Sequence, residues 1–360
     1  MTTKSSTKPY RGGLSKEEVN AATAVPKIFK LSSNENPAGP SPAVIQTIQQ
    51  SAVTLGEYPS YTDDALREAL AELHGRDLTP EHFITGNSGC EVLEIIARTL
   101  LGSDTTFINC PPTFPVYQLT ATREGAEAIT VPLDPENFTY DFEAIINHVA
   151  ENTRVLYLSA PNNPTGTMLK AGDLTQLLDA LPAHVTVVFD EVYYHFVDEA
   201  VRLDAIQHVL DGRNFIILHS FSKAYGLAGM RLGYGIANPV LAQKLSSVRR
   251  PFHLNQLALA AGLAAVADQE HVDKSVQLTI KGREWIMQEL QALGVKTWPS
   301  QGNFIMFETP GSAEDFTQEL LAYGIMVRPA FGLDNCIRVS MGLEEGNQAF
   351  IQAMKAIITK

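Results

Sequence analysis

The 360-residue sequence predicts an α/β protein: a mainly parallel sheet flanked by helices, with a smaller α+β domain at the C-terminal end. Three observations predict it. Short continuous apolar runs alternate with helix-period segments between residues 82 and 220, the order expected of parallel strands joined by crossover helices. Each run ends in a loop of small or polar residues, and beyond residue 250 the alternation gives way to long helical stretches and then to short strand candidates.

In chain order, a polar arm is followed by HFITG, by EVLEIIARTLLG, and by TTFINC, RVLYLS, VTVVFDE and NFIILHS. In EVLEIIARTLL the residues Val92, Ile95, Ile96, Leu100 and Leu101 share one helical face, which is expected to lie on the sheet. Phe215 to Leu218 is apolar without interruption, the pattern of a strand buried on both faces. Residues 256–292 read as helix, including the packed stretch LALAAGLAAVA at 257–267. NFIMFE, IMVRPA and CIRVSM read as strands, and 344–358 as a last helix. The expected organisation is an N-terminal arm over 1–40, a large domain over 41–250 and a small C-terminal domain over 251–360.

Composition narrows the function. A formal net charge of −13, with no basic cluster longer than the pair Arg249 and Arg250, fits neither nucleic acid nor an anionic membrane as partner. Cys90, Cys110 and Cys336 are few, odd in number and far apart, which argues against a disulfide framework or a structural zinc site and fits a reducing cytoplasm. The first residues lack an apolar signal core, and the stretch 257–267 is too short to span a bilayer.

Four loops after strand candidates are expected to converge, because open α/β sheets bind ligands at their strand ends. GNSGCE leads into a helix whose first amides form an anion site. APNNPTG sets a fixed turn that presents Asn163. In DEVYYHF, Asp190 sits at the end of a buried strand, where a carboxylate needs a cation or donors to compensate it. SFSKAYGLAGMR supplies Ser220, Ser222 and Arg231, suited to a phosphate, and Lys223, suited to a carbonyl. A phosphate, a ring nitrogen seeking an acid partner, a phenolic oxygen and an aldehyde together describe pyridoxal phosphate.

NPTG, DEVY and SFSKAYGLAGMR, in this order and spacing, resemble the fold-type-I aminotransferases, class II, in particular the branch that contains histidinol-phosphate aminotransferase. The likeness extends from LSSNENPAGPSP at residue 31 to CIRVSMG at 336. The resemblance implies the aspartate aminotransferase-like fold, a ping-pong transamination and a pyridoxal 5'-phosphate cofactor. It implies that Lys223 bonds the cofactor aldehyde and later acts as base, that Asp190 holds the ring nitrogen protonated, and that Tyr193 and Asn163 bind the ring oxygen. Ser220, Ser222 and Arg231, with the backbone of Ser88, Gly89 and Cys90, are implied as the phosphate site, and Phe114 as the ring-stacking residue. Tyr58 resembles the tyrosine that reaches the phosphate in the partner subunit, which implies a homodimer with interfacial active sites. Arg338 is matched to the arginine that grips the substrate carboxylate or its equivalent, and Arg328 to a position that selects the rest of the substrate. Asn34 and Asn36 are expected to border the pocket.

The chain departs from the family at two places: Ser88, Gly89, Cys90 replace the usual Gly-Ser-Asp phosphate turn, and Phe114 replaces a common tyrosine. The implied reaction converts histidinol phosphate and 2-oxoglutarate to imidazole acetol phosphate and glutamate. An aromatic or other amino acid aminotransferase, or a threonine-phosphate decarboxylase, uses the same apparatus. A non-catalytic regulator of this fold carries a DNA-binding region before the domain, whereas about thirty polar residues precede NENP here. His195 reads as a structural histidine and Cys90 as a small turn residue. Glycines 226, 229, 233 and 235 do not form a dinucleotide fingerprint, and no metal is expected.

Overall fold

A computed structural model describes residues 25–170 and 172–359; residues 1–24 of the expected N-terminal arm lie outside the described residues. Twelve strands are described: β1 (Phe29–Lys30), β2 (Phe83–Gly86), β3 (Thr106–Asn109), β4 (Glu127–Thr130), β5 (Thr153–Ser159), β6 (Thr186–Asp190), β7 (Phe215–Ser220), β8 (Gly233–Ala237), β9 (Phe304–Glu308), β10 (Ile325–Met326), β11 (Arg328–Pro329) and β12 (Cys336–Ser340). The large sheet runs β2-β8-β7-β6-β5-β3-β4. Its strands are parallel except β8, which pairs antiparallel with both β2 and β7.

The apolar runs explain the centre of this sheet. In β7, Phe215 and Ile217 pack into the core on one face while Ile216 and Leu218 pack into the core on the other. In β6, Val187 and Phe189 likewise oppose Val188. Alternating side chains enter two cores, so a strand with no polar position is required. Each such side chain contributes about 1.5–3 kcal/mol by leaving water. Helix Gly89–Leu100 covers one face with Val92, Ile95 and Ile96, all buried.

The stretch 256–292 forms two helices, Gln256–Ala267 and Gln269–Ala292. Between them Asp268 accepts a hydrogen bond from His271 N and caps the second. The first is apolar nearly all round because it packs against the helices Pro42–Ser51 and Asp64–His74.

Beyond it, β11, β12 and β9 form an antiparallel sheet, in which Arg328 lies directly opposite Arg338. The last helix, Glu344–Ile358, packs Phe350, Ile351 and Met354 into the core of this part. Phe29 and Lys30 add a short parallel strand beside Ile325 and Met326, and Ser340 N donates to Leu31 O at 2.8 Å. The segment before residue 40 is thereby tied to the C-terminal part of the chain.

Candidate active site

Three neighbouring strands deliver polar residues to one end of the large sheet. Ser159, Asp190 and Ser220 are the final residues of β5, β6 and β7. After Ser220 the chain turns back into β8 through a loop closed by Phe221 N to Leu232 O, 3.1 Å, and Leu227 N to Phe221 O, 3.0 Å. Gly226 in this loop has φ +70°, and a Cβ there would collide with Gly39 O, so the loop is pressed against the N-terminal segment.

The helix Gly89–Leu100 points its N-terminus at the same place. Its first amides have no intrahelical acceptor by construction, and they carry the positive end of the helix dipole. Its approach depends on β8: a Cβ on Gly233 would collide with Gly89 N and lie 2.7 Å from Ser88 C.

Between these elements lies a cavity of about 290 Å³. Ser88, Gly89, Cys90, Ser220, Ser222 and Arg231, the residues expected to hold a phosphate, all line it. Arg231 is in the left-handed region, φ +57°, and its Nη1 donates to Ala228 O at 2.8 Å. Asp190, Tyr117, Phe114, Asn163, Tyr193 and Lys223 line it as well, as do Asn34, Ser33, Arg328 and Arg338.

Asp190 is 5% exposed. Its Oδ2 accepts from Tyr117 Oη at 2.6 Å and its Oδ1 from Val192 N at 3.1 Å. Burial nevertheless pushes its carboxyl up to about 6, against the lowering effect of these donors and of Lys223. A buried carboxylate in this condition is suited to a cationic ligand atom. Burial also raises Tyr193 to about 12, so its phenol stays protonated near neutral pH. Tyr193 Oη accepts from Asn34 Nδ2 at 2.9 Å, which leaves its own proton for a ligand oxygen.

Lys223 Nζ lies 5.5 Å from the Tyr193 ring centroid and 3.5 Å from Ser33 O. Arg338 is buried and oriented: Nη1 donates to Asn163 Oδ1 at 2.5 Å and Nη2 to Ser32 O at 2.7 Å. With Oδ1 of Asn163 accepting from Arg338, the amide's remaining capacity is its Nδ2 donor. Asn34 is fixed by Ser340, whose Oγ accepts from Asn34 N and donates to Asn34 Oδ1, both at 2.8 Å.

Two expected positions stand elsewhere. Asn36 does not line this cavity; its Nδ2 donates to Ala224 O at 2.8 Å, so it braces the residue after Lys223 from outside. Tyr58 is 84% exposed and packs on Phe252 with ring centroids 5.0 Å apart, away from the cavity of its own chain. His195 is enclosed by aromatic rings, 3.8 Å from Tyr194 and 5.2 Å from Tyr225 by centroid. Tyr117 was not singled out by sequence reasoning. Its only signal was the PPTFPVY segment, which does not reveal that the hydroxyl is aimed at Asp190.

The donor set fits pyridoxal phosphate. Hydroxyls, a guanidinium and a helix N-terminus suited to a phosphate, a carboxyl raised by burial, a phenol, an amide and an amine all line a single cavity.

Residues 26–354 match the sequence model of the family described as aminotransferase class I and II. The histidinol-phosphate aminotransferase of Moorella thermoacetica is 37% identical over 356 residues, 98% of this chain and 91% of that protein. Histidinol-phosphate aminotransferase 1 of Nitrosococcus oceani is 38% identical over 353 residues, 97% of this chain and 94% of that one. Among solved structures, histidinol-phosphate aminotransferase from Sinorhizobium meliloti in complex with pyridoxal-5'-phosphate is similar with a TM-score of 0.88 at 26% identity, covering 98% of this chain and 95% of that one. Thermus thermophilus aspartate aminotransferase with maleate shares the fold, with a TM-score of 0.82 at 23% identity over 96% of this chain and 100% of that one.

Proposed function

The chain belongs to the class I and II aminotransferase family, and from that premise we propose that it transfers an amino group between histidinol phosphate and 2-oxoglutarate, giving imidazole acetol phosphate and glutamate. The observation that carries the substrate is the 37% identity to a histidinol-phosphate aminotransferase along 98% of the chain. The reaction is a step of histidine biosynthesis, and the cofactor is pyridoxal phosphate.

Pyridoxal phosphate, when bound, supplies an aldehyde carbon that condenses with amines and a conjugated ring that withdraws electrons. The chain's own residues do the rest. Ser220, Ser222, Arg231 and the first amides of helix Gly89–Leu100 would hold the phosphate, a dianion matched to hydroxyls, a guanidinium and a helix N-terminus. Asp190, kept in place by Tyr117 and the Val192 amide, would hold a proton on the ring nitrogen. Tyr193 and Asn163 would donate to the ring oxygen, and Phe114 would cover the ring face.

Lys223 Nζ, once a free amine, would serve as the base that takes the proton from the substrate Cα and later gives it up. Arg338 is pre-oriented by Asn163 and Ser32, so its grip on the anionic end of either substrate would require little reorganisation.

The partner of this chain is a second copy. Tyr58, Tyr61, Val53, Leu55 and Phe252 are all exposed in the single chain, an apolar and aromatic surface that supports pairing with active sites at the interface. A cytoplasmic location is supported by the free cysteines Cys90, Cys110 and Cys336. Among the described residues no helix is long and apolar enough to cross a membrane.

The test is a half-reaction. Histidinol phosphate added to the cofactor-loaded protein without a keto acid should bleach the visible cofactor band within seconds, and glutamate should do so as well. Bleaching by phenylalanine instead of histidinol phosphate would replace the substrate, and release of carbon dioxide from phosphothreonine would replace the reaction.

A further inference from the structure

Asp190 and Ser220 end neighbouring strands, but they are not paired with each other. Between β6 and β7 the last paired residues are Asp190 and Leu218, after which Glu191 N donates to Leu218 O at 3.2 Å. Ser220 lies beyond that row and pairs with Gly233 of β8, whereas Asp190 pairs on its other side with Ser159 of β5. The two residues thus stand on either side of a seam in the sheet. Asp190, Leu218 and Ser220 all line the cavity along one face of it.

The residues next to them turn the other way. Side chains alternate along a strand, so Glu191, which follows Asp190, and His219, which precedes Ser220, leave the opposite face. Neither lines the cavity described above; both line a second one, of about 390 Å³, together with His74, Tyr194 and Arg202. There Glu191 Oε1 and His219 Nε2 are 2.8 Å apart, a contact that closes the seam from behind. His219 is 2% exposed, and the Tyr194 ring stacks on it at 4.3 Å with planes 13° apart. Its Nδ1 lies 2.9 Å from Tyr234 Oη, which in turn lies 2.9 Å from His74 Nε2, the end of helix Asp64–His74.

Burial pushes the Glu191 carboxyl up to about 8 and both His219 and His74 down to about 3, so near neutral pH the three groups are uncharged. The order of donors is then fixed. The Glu191 carboxyl donates to His219 Nε2, His219 Nδ1 donates to Tyr234 Oη, and the Tyr234 hydroxyl donates to His74 Nε2. Each proton of this chain has its acceptor, which holds the imidazole from two sides.

We propose that Glu191 and His219 are positioning residues for the cofactor: their contact behind the sheet sets the separation of Asp190 and Ser220 across the seam. This rests on the assignment above of Asp190 to the ring nitrogen and Ser220 to the phosphate. Pyridoxal phosphate carries both groups on one rigid frame, so it gains from both anchors at once only where their spacing matches its own. Pyridoxal needs only the first anchor and inorganic phosphate only the second. A seam free to widen would weaken the whole cofactor and spare its two parts.

The experiment compares the wild type with Glu191→Leu and Glu191→Gln as full chains stripped of cofactor. Dissociation constants are measured for pyridoxal phosphate and pyridoxal by absorbance, and for inorganic phosphate by competition. Glu191→Leu is expected to bind pyridoxal phosphate about tenfold more weakly, with pyridoxal and phosphate within about twofold. Glu191→Gln keeps a donor for His219 Nε2 and is expected to stay within about twofold for all three. Should the Leu variant not fold, Tyr234→Phe keeps the ring, removes the hydroxyl that holds His219 from its other side, and is expected to lose about threefold for pyridoxal phosphate alone. Unchanged affinity for pyridoxal phosphate, equal losses for all three ligands, or a Gln variant as impaired as the Leu variant would each overturn the proposal. Asp190→Asn and Ser220→Ala serve as references, the first expected to weaken pyridoxal and the second phosphate. If neither does, the assignment of the two anchors falls, and this proposal with it.

Discussion

Tyr117 Oη donates a 2.6 Å hydrogen bond to Asp190 Oδ2, joining a helix residue that carries no catalytic signature to the carboxylate at the end of β6. The phenol is held for this purpose: its ring stacks on Tyr157 at 5.2 Å with planes 7° apart, and Phe114 meets it edge-on at 5.7 Å. Tyr117→Phe keeps these ring contacts and removes only the donor. A hydrogen bond to a charged acceptor is worth about 1.5–3 kcal/mol, so cofactor affinity should fall at least about tenfold with the fold intact. Equilibrium dialysis against pyridoxal phosphate, with circular dichroism as control, measures this.

The raised carboxyl of Asp190 has a consequence for stability. Its folded value of about 6 lies above the model-peptide value of 3.8, so between these limits the folded chain binds more proton than the unfolded one. Stability of the cofactor-free protein therefore falls as pH rises through that window, by ~3 kcal/mol from this group once it is fully ionised. Asp190→Asn removes the ionisation. The difference in unfolding free energy between variant and wild type should thus be small near pH 4 and grow in favour of the variant up to pH 7, measured by urea denaturation without cofactor. A pH-independent difference would refute it.

The central strands and four of the site loops were legible because their causes are local. Two-faced burial demands the runs in β6 and β7, and residues at the end of such strands converge by the geometry of a parallel sheet. What was not legible depends on contacts between distant segments. β8 reads GYGIA, whose glycines resemble a loop, yet Gly233 and Gly235 are small because helix Gly89–Leu100 and the Ile84 side chain come close to them. Among the described residues β1 pairs with Ile325 and Met326, at the other end of the chain. Asn36 and Asn34 occupy one motif two residues apart, but with Asn34 at φ +54° the backbone sends Asn34 to Tyr193 inside the cavity and Asn36 to Ala224 outside it. The approach of the Phe331 ring to Arg328 and Arg338 likewise follows from the connection between β11 and β12, whose path the sequence does not announce.

Lys223 Nζ lies 3.5 Å from Ser33 O and 5.5 Å from the centre of the Tyr193 ring. Lys223→Ala should fold normally and still take up cofactor through the phosphate cradle. Turnover should fall by ~10³-fold or more, since nucleophile and base are removed together. Stopped-flow absorbance with histidinol phosphate checks it, and turnover near the wild-type rate would remove Lys223 from the chemistry.

Gly233→Ala tests whether the phosphate cradle depends on a backbone that is not itself in contact with ligand. Gly233 pairs with Gly86 in β2 and with Ser220 in β7, so the position cannot shift without disturbing the sheet. The added Cβ would collide with Gly89 N and crowd Ser88 C, both backbone atoms that no rotamer change can move aside. The helix N-terminus must therefore retreat, taking the Gly89 and Cys90 amides away from the anion end of the cavity. Overpacking of this kind costs about 1–3 kcal/mol. The variant should lose that much stability and should also lose more affinity for pyridoxal phosphate than for pyridoxal, whereas Gly229→Ala, with nothing within 4 Å of its Cβ, should do neither. Affinities for the phosphorylated and unphosphorylated forms, measured side by side, separate a displaced phosphate cradle from a general loosening of the fold: only the former lowers the ratio between them.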